Sequence, residues 1–241
     1  LDGSPAQTAG RAGVMAGKAV PVWALVSAGL SPILVAGAWL VAGTLQPASY
    51  SPVRDTVSVL AGQAGTHRWI MTGALFLVGG CYLVTAAGLS AIRVPARVLL
   101  VVAGLSSIGI AASPEPVSGS TQQHLAWTAL GAIAITVWPA VTAQRGAGLP
   151  VILGVPGSAV VTIVFAALLG WVVLEAQGGS VLGLAERLAA LVQTSWPFIV
   201  AVSLRRTALT GALQQDAGEP PRLPAAEAAA GPARLGRGES A

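Results

Sequence analysis

Charge is the scarcest commodity in this chain. Only 9% of its 241 residues are Asp, Glu, Lys or Arg, while 54% are hydrophobic; an average soluble domain carries roughly 25% charged residues. So few charges cannot cover a water-soluble globule, and the solvent such a chain requires is a bilayer. Cysteine is nearly absent. Cys81 stands alone inside an apolar run, which excludes an intramolecular disulfide and gives no thiol metal site. Histidine is limited to His67 and His124. No H-x-x-x-H or H-E-x-x-H spacing occurs, and there is no P-loop, dinucleotide-binding glycine pattern or G-x-S-x-G elbow. Neither a metal nor a cofactor is therefore expected. The formal net charge is +4, but no basic stripe with interleaved aromatics accompanies it, so nucleic acid is not an expected partner.

What the chain has is long apolar runs. A helix needs about 20 apolar residues to cross roughly 30 Å of hydrocarbon. Six stretches meet that length or approach it: 22–45, 69–92, 95–113, 124–143, 149–175 and 183–204, none with a charge in its middle third. Helices are the default, because an open sheet would leave backbone groups unpaired in lipid. The expected fold class is all-α, a polytopic membrane bundle of about six transmembrane helices. Residues 1–19 read as a flexible N-terminal cytoplasmic segment, 20–206 as the transmembrane domain and 207–241 as a disordered cytoplasmic tail rich in Ala, Gly, Pro and charge. The first residue is Leu1; a non-AUG start, or a start near Val14-Met15, would each explain that. The apolar run 22–45 exceeds the 7–15 residues usual for a signal-peptide core, so it reads as an uncleaved first helix. Pro32, Pro139, Pro156 and Pro197 fall inside runs and are candidate kinks. Dense small residues such as Gly79-Gly80 suit close backbone approach between membrane helices.

Orientation follows from basic residues near helix ends. With the N-terminus inside, the inner positions are Arg11, Lys18, Arg93, Arg97, Arg145, Arg205 and Arg206, and the outer loops hold only Arg54 and Arg68. That bias favours both termini in the cytoplasm, and an even helix count agrees. The expected location is the plasma membrane, as a multi-pass protein.

On that orientation the chemically capable side chains gather at the outer pole: Arg54, Asp55, Ser58, His67, Arg68, Glu115, His124, Glu175, Glu186 and Arg187. Groups at one membrane depth can shift one another's pKa, hold a phosphate or move protons. Between Ser51 and Leu60 a short surface helix is expected, with Ser51 as N-cap, Pro52 in the first position and Val53, Val57 and Leu60 on one face. In Gly183-Leu184-Ala185-Glu186-Arg187, two opposite charges open the last helix about 100° apart. Glu186 is expected to face the bundle and pair with His124, Arg68 or Arg54, on a face continued by Gln193 and Thr194.

The segment Tyr50-Ser51-Pro52-Val53-Arg54-Asp55-Thr56-Val57-Ser58-x-Leu60 resembles the first outer loop of a bacterial six-helix membrane family known as domain of unknown function 998. The likeness extends to His124 opening the fourth helix, and to Gly183-Leu184-x-Glu186-Arg187-Leu188 with Trp196 in the sixth. It implies a six-helix membrane domain over about residues 22–206 and no established activity. Asp55, Ser58, His124, Glu186 and Arg187 are the matching positions. Three functional readings remain open. One is a lipid- or protein-partner-binding scaffold with an outer polar pocket built from Arg54, Ser58, His67, Arg68, Glu115, Glu175 and Arg187. Another is an enzyme acting on a lipid or isoprenoid, with Asp55, His124 or Glu186 as acid or base. The last is a small-solute transporter, although such proteins usually keep a charge at mid-membrane.

Overall fold

The structure, a computed structural model, describes residues 19–146 and 149–218. Its helices are α1 (Val22–Thr44), α2 (Val57–Ala61), α3 (Trp69–Gly88), α4 (Val94–Ala112), α5 (Gln122–Thr142), α6 (Val155–Glu175) and α7 (Leu182–Gly218), with a 3-10 turn at Val151–Leu153. All but α2 are long and apolar enough to cross a membrane. The long helices pack in the sequence α6–α5–α4–α3–α1–α7, and α6 returns to α7 to close the bundle.

The starts of α4, α5 and α6 have local causes. Thr121 caps α5 by accepting from the His124 amide, so that helix opens at Gln122, ahead of His124. Pro95 and Pro156 sit in the first turns of α4 and α6, where a missing N–H costs nothing. Pro156 is thus a helix starter and not the expected kink, and residues 151–153 become a 3-10 turn before it. Pro32, Pro139 and Pro197 do lie inside helices. The Pro139 carbonyl accepts from the Thr142 hydroxyl at 2.7 Å.

Small residues set the tightest crossing. A Cβ on Gly79 would fall 2.6 Å from the Gly104 carbonyl, and one on Gly104 2.8 Å from the Gly79 carbonyl. The α3 and α4 backbones therefore touch at a depth no larger residue allows. Side-chain hydrogen bonds reinforce the packing: Ser107 donates to the Leu75 carbonyl (2.7 Å), Ser27 to that of Cys81 (2.8 Å) and Trp138 to that of Ala96 (2.8 Å). By contrast α6 is peripheral, with only Ser158 and Phe165 buried.

Two poles result. At one, Arg205 of α7 donates to the Val20 carbonyl before α1 (2.7 Å), and Arg97 of α4 reaches the end of α3 through the Ala86 carbonyl (2.8 Å). At the other lie the loops 45–68, 113–121 and 176–181. α7 continues well past residue 206, where the tail was expected to begin, and ends at Gly218. Residues 207–213 include Ala, Leu and Thr with no proline, and a helix already nucleated by packing propagates through such a segment at little cost. Leu209 and Leu213 are exposed there. The remaining tail residues and the segment 1–18 lie outside the described residues.

Candidate functional site

The 45–68 loop is bolted to the start of α7. The expected helix at its centre is displaced: residues 51–55 form a turn, with the amides of Arg54 (3.1 Å) and Asp55 (2.7 Å) donating to the Ser51 carbonyl. The cause is Asp55, whose carboxylate reaches back to accept from the Ser51 amide at 2.7 Å. Helix α2 then begins at Val57 with Thr56 as its cap, accepting from the Val59 amide at 3.3 Å. Val57, Leu60 and Ala61 are buried, while Val53 is exposed and not on their face.

Arg187 holds this turn in place. Its Nη1 lies 2.7 Å from the Pro52 carbonyl and 2.8 Å from those of both Asp55 and Gly183, and Nη2 donates to the Tyr50 hydroxyl. Arg187 is 9% exposed, and among the described residues no carboxylate pairs with its guanidinium. Four oxygens of partial negative charge replace its water. The loop repays the contact, because the Val53 carbonyl accepts from the Leu184 amide at 3.0 Å, one of the donors a helix start leaves free. Gly183 makes the approach possible: a Cβ there would lie 2.3 Å from the Asp55 carbonyl and 2.8 Å from that of Pro52. Burial pushes the Tyr50 phenol above its ordinary pKa, and neighbouring Arg187 only partly opposes the shift.

Glu186 has a specific partner, but not one of the three expected side chains. Its Oε2 accepts from the Val57 amide at 2.7 Å, so it caps α2 from a distance of 129 residues in sequence. Gln193 continues inward and donates to Thr136 of α5 at 3.2 Å; Thr194 instead bonds its own helix at the Ala190 carbonyl, 2.7 Å away.

One residue beyond Val57, Ser58 meets the histidine. His124 is buried; its Nδ1 lies 2.8 Å from the Ser113 carbonyl, its Nε2 3.2 Å from Ser58 Oγ and 3.6 Å from Glu115 Oε1. The Glu115 carbonyl in turn accepts from the Gln63 amide at 2.8 Å. Asp55, Ser58, Glu115, His124, Glu186 and Arg187 therefore belong to one run of contacts spanning the 45–68 loop, the 113–121 loop, α5 and α7.

The other sequence candidates are elsewhere. Arg54 and His67 are exposed, and His67 adopts φ 52° just before α3. Glu175 serves its own loop, accepting from the Val181 amide at 3.0 Å. Arg68 is also exposed, but it lines an open cavity of about 340 Å³ with Trp69, Thr72, Ala111, Ala112 and Pro114. The Thr72 hydroxyl is buried there with no partner among the described residues. Thr72 carried no signal of its own beyond standing one turn after Arg68. Tyr50 and Gly183 lay within the quoted motifs, but their roles depend on a contact between distant segments.

Residues 11–203 match the family described as Protein of unknown function (DUF998). The chain belongs to that family. No curated protein and no solved structure matches it. The DUF998 match takes in α1 to α6 whole and α7 through Ser203, and so every contact of the clamp between the loop and α7.

Proposed function

We propose that this is a multi-pass protein of the plasma membrane, both ends cytoplasmic, that binds the phosphate headgroup of a membrane lipid in the Arg68 cavity at its outer pole. The observation that carries the reading is the pairing of an exposed guanidinium with a buried hydroxyl lacking a partner, in a cavity otherwise lined by apolar side chains. An unpaired buried hydroxyl costs about 1–3 kcal/mol, and rotation of the Thr72 side chain toward the cavity it lines would let a phosphate oxygen recover it. Arg68 supplies donors matched to the same group. Trp69, 70% exposed beside it, suits the headgroup level, where indoles concentrate, and the exposed Ala112 offers an acyl chain a smooth surface. The rest of the pole supports binding through rigidity: Arg187, Glu186 and Asp55 are occupied holding the fold.

Titration of the full chain in detergent with phosphatidylglycerol, read by native mass spectrometry, tests the site. Arg68→Gln should weaken retention about tenfold, the equivalent of one charge-assisted hydrogen bond, and Thr72→Val by a smaller factor. Equal retention by wild type and both variants overturns the reading. Orientation has its own test in a Cys81→Ala background. A membrane-impermeant thiol reagent applied to intact cells should label Ser118→Cys and leave Ser90→Cys unlabelled; the reverse pattern inverts the protein.

A further inference from the structure

His124 is held so that one ring nitrogen donates and the other, Nε2, faces Ser58 as a base. The Ser113 carbonyl, 2.8 Å from Nδ1, can only accept, so Nδ1 carries the proton of the neutral ring. Nε2 is left with its lone pair, and the group facing it at 3.2 Å is the Ser58 hydroxyl. Ser58 therefore donates to Nε2. The ring has little freedom to do otherwise: it is 2% exposed, and its backbone amide is fixed by the Thr121 hydroxyl at 3.1 Å. Ser58, only partly buried, lies on the outward side of the pair. It is positioned in turn by α2, whose first amide is capped by Glu186 and whose Val57, Leu60 and Ala61 are buried.

A hydroxyl, an imidazole within hydrogen-bond reach and a third group orienting that imidazole are the three parts of an activated serine. Here a backbone carbonyl takes the third role. Glu115 is close to the reacting pair: its carboxylate lies 3.6 Å from the nitrogen that would gain the proton.

We propose that Ser58 is a nucleophile and His124 its general base, acting on a carboxylic ester of an amphiphile presented at the membrane surface. Ser58 Oγ attacks the ester carbonyl carbon as its proton passes to Nε2. The tetrahedral intermediate collapses, the bond from carbonyl carbon to alkoxy oxygen breaks, and the alcohol leaves with the proton from Nε2. Water then repeats the sequence: it attacks the acyl carbon, gives its proton to Nε2 and releases the carboxylic acid, with Ser58 reprotonated. Ester and water are the only reactants. Val59, next to the serine in α2, is exposed and offers apolar surface to the chain of such a substrate. The Arg68 cavity takes no part, so each proposal can fail without the other.

The test is a fluorophosphonate probe applied to the full chain in membranes. Its phosphorus accepts the serine oxygen, fluoride leaves, and the adduct is located by peptide mass spectrometry. Wild type should carry the adduct on Ser58, Ser58→Ala should not, and His124→Gln should label at least about tenfold more slowly, at the low end of what a positioned base contributes. Folded wild type without an adduct on Ser58, or an unchanged rate in His124→Gln, overturns the proposal. Where His124→Gln does not fold, a thiol decides. In a Cys81→Ala background with His124 kept, Ser58→Cys should react with iodoacetamide faster than a cysteine at the exposed Ser118, because the imidazole draws off the thiol proton. An equal or slower reaction of Ser58→Cys overturns the proposal.

Discussion

Arg187 and Arg68 stand at the same pole of one bundle, and their surroundings are opposite. Arg187 is buried and spends its donors on the carbonyls of Pro52, Asp55 and Gly183 and on the Tyr50 hydroxyl. Arg68 is exposed, on the rim of a cavity whose one buried hydroxyl, on Thr72, has no partner. Identical chemistry becomes structure in one place and receptivity in the other. The difference is whether the protein's own backbone has already filled the donor positions. A cation saturated by carbonyls can be removed only at the expense of the fold, whereas one left open can be removed at the expense of a ligand.

The strongest break in that contrast should come at Arg187 itself. Arg187→Met strands the Pro52 and Asp55 carbonyls and the Tyr50 hydroxyl, and is expected to cost about 3 kcal/mol or more, seen as a large drop in the thermal midpoint in a fixed detergent. Arg187→Lys should recover part of the loss, because the three carbonyls converge on Nη1 alone and an ammonium has three donors, while the Tyr50 hydroxyl loses its partner. A midpoint close to wild type in Arg187→Met would mean that the loop is not held by the guanidinium. Next comes Gly183→Ala. Its Cβ would meet the Asp55 and Pro52 carbonyls, and pushing that backbone aside should cost about 1–3 kcal/mol. Proteolysis in the 45–56 segment should rise in parallel, an effect absent if the loop merely rests on α7.

Glu186→Gln is a finer probe. The amide oxygen can still accept from the Val57 amide, so only the charge assistance is lost, and a loss of about 1 kcal/mol is expected; Glu186→Ala removes the cap and should cost up to about 2 kcal/mol. Glu175→Gln, acting only on the neighbouring Val181 amide, should shift the midpoint least among the carboxylates. Equal effects at the two would dissolve the distinction between a long-range cap and a local one. The smallest effect on stability belongs to Arg68→Gln, within about 0.5 kcal/mol of wild type, while retention of phosphatidylglycerol falls. A large stability loss there would make Arg68 a structural residue like Arg187.

The six candidate spans were legible because a bilayer imposes a length that composition must obey. Their ends were less so, since a cap such as Thr121 or a starter such as Pro156 shifts a helix by two to six residues without altering the apolar run. α2 moved because Asp55 turns back on Ser51, a choice that the pattern of Val53, Val57 and Leu60 does not register. That the acids and histidines share a pole could be read directly. Their partners could not, for a physical reason: Glu186 and Arg187 bond chiefly to backbone N–H and C=O groups, which every residue offers alike, and His124 is oriented by one as well. Side-chain pairs leave a trace in residue identity, and side-chain-to-backbone bonds leave almost none. The exception is Gly183, whose missing side chain is itself the trace of a backbone passing close by.

The clamp between Arg187 and the first loop also has an order in time. Its partners are separated by 132 to 137 residues of chain, and at about 5–20 residues per second of synthesis the loop waits roughly 7–27 s for α7 to emerge. Until then five helices can be inserted while the carbonyls of Pro52 and Asp55 remain without their cation. The last helix is thus the keystone of assembly: its arrival closes the pole, and a chain that stops short of it leaves behind a bundle whose first loop is still open to whatever surveys unfinished membrane proteins.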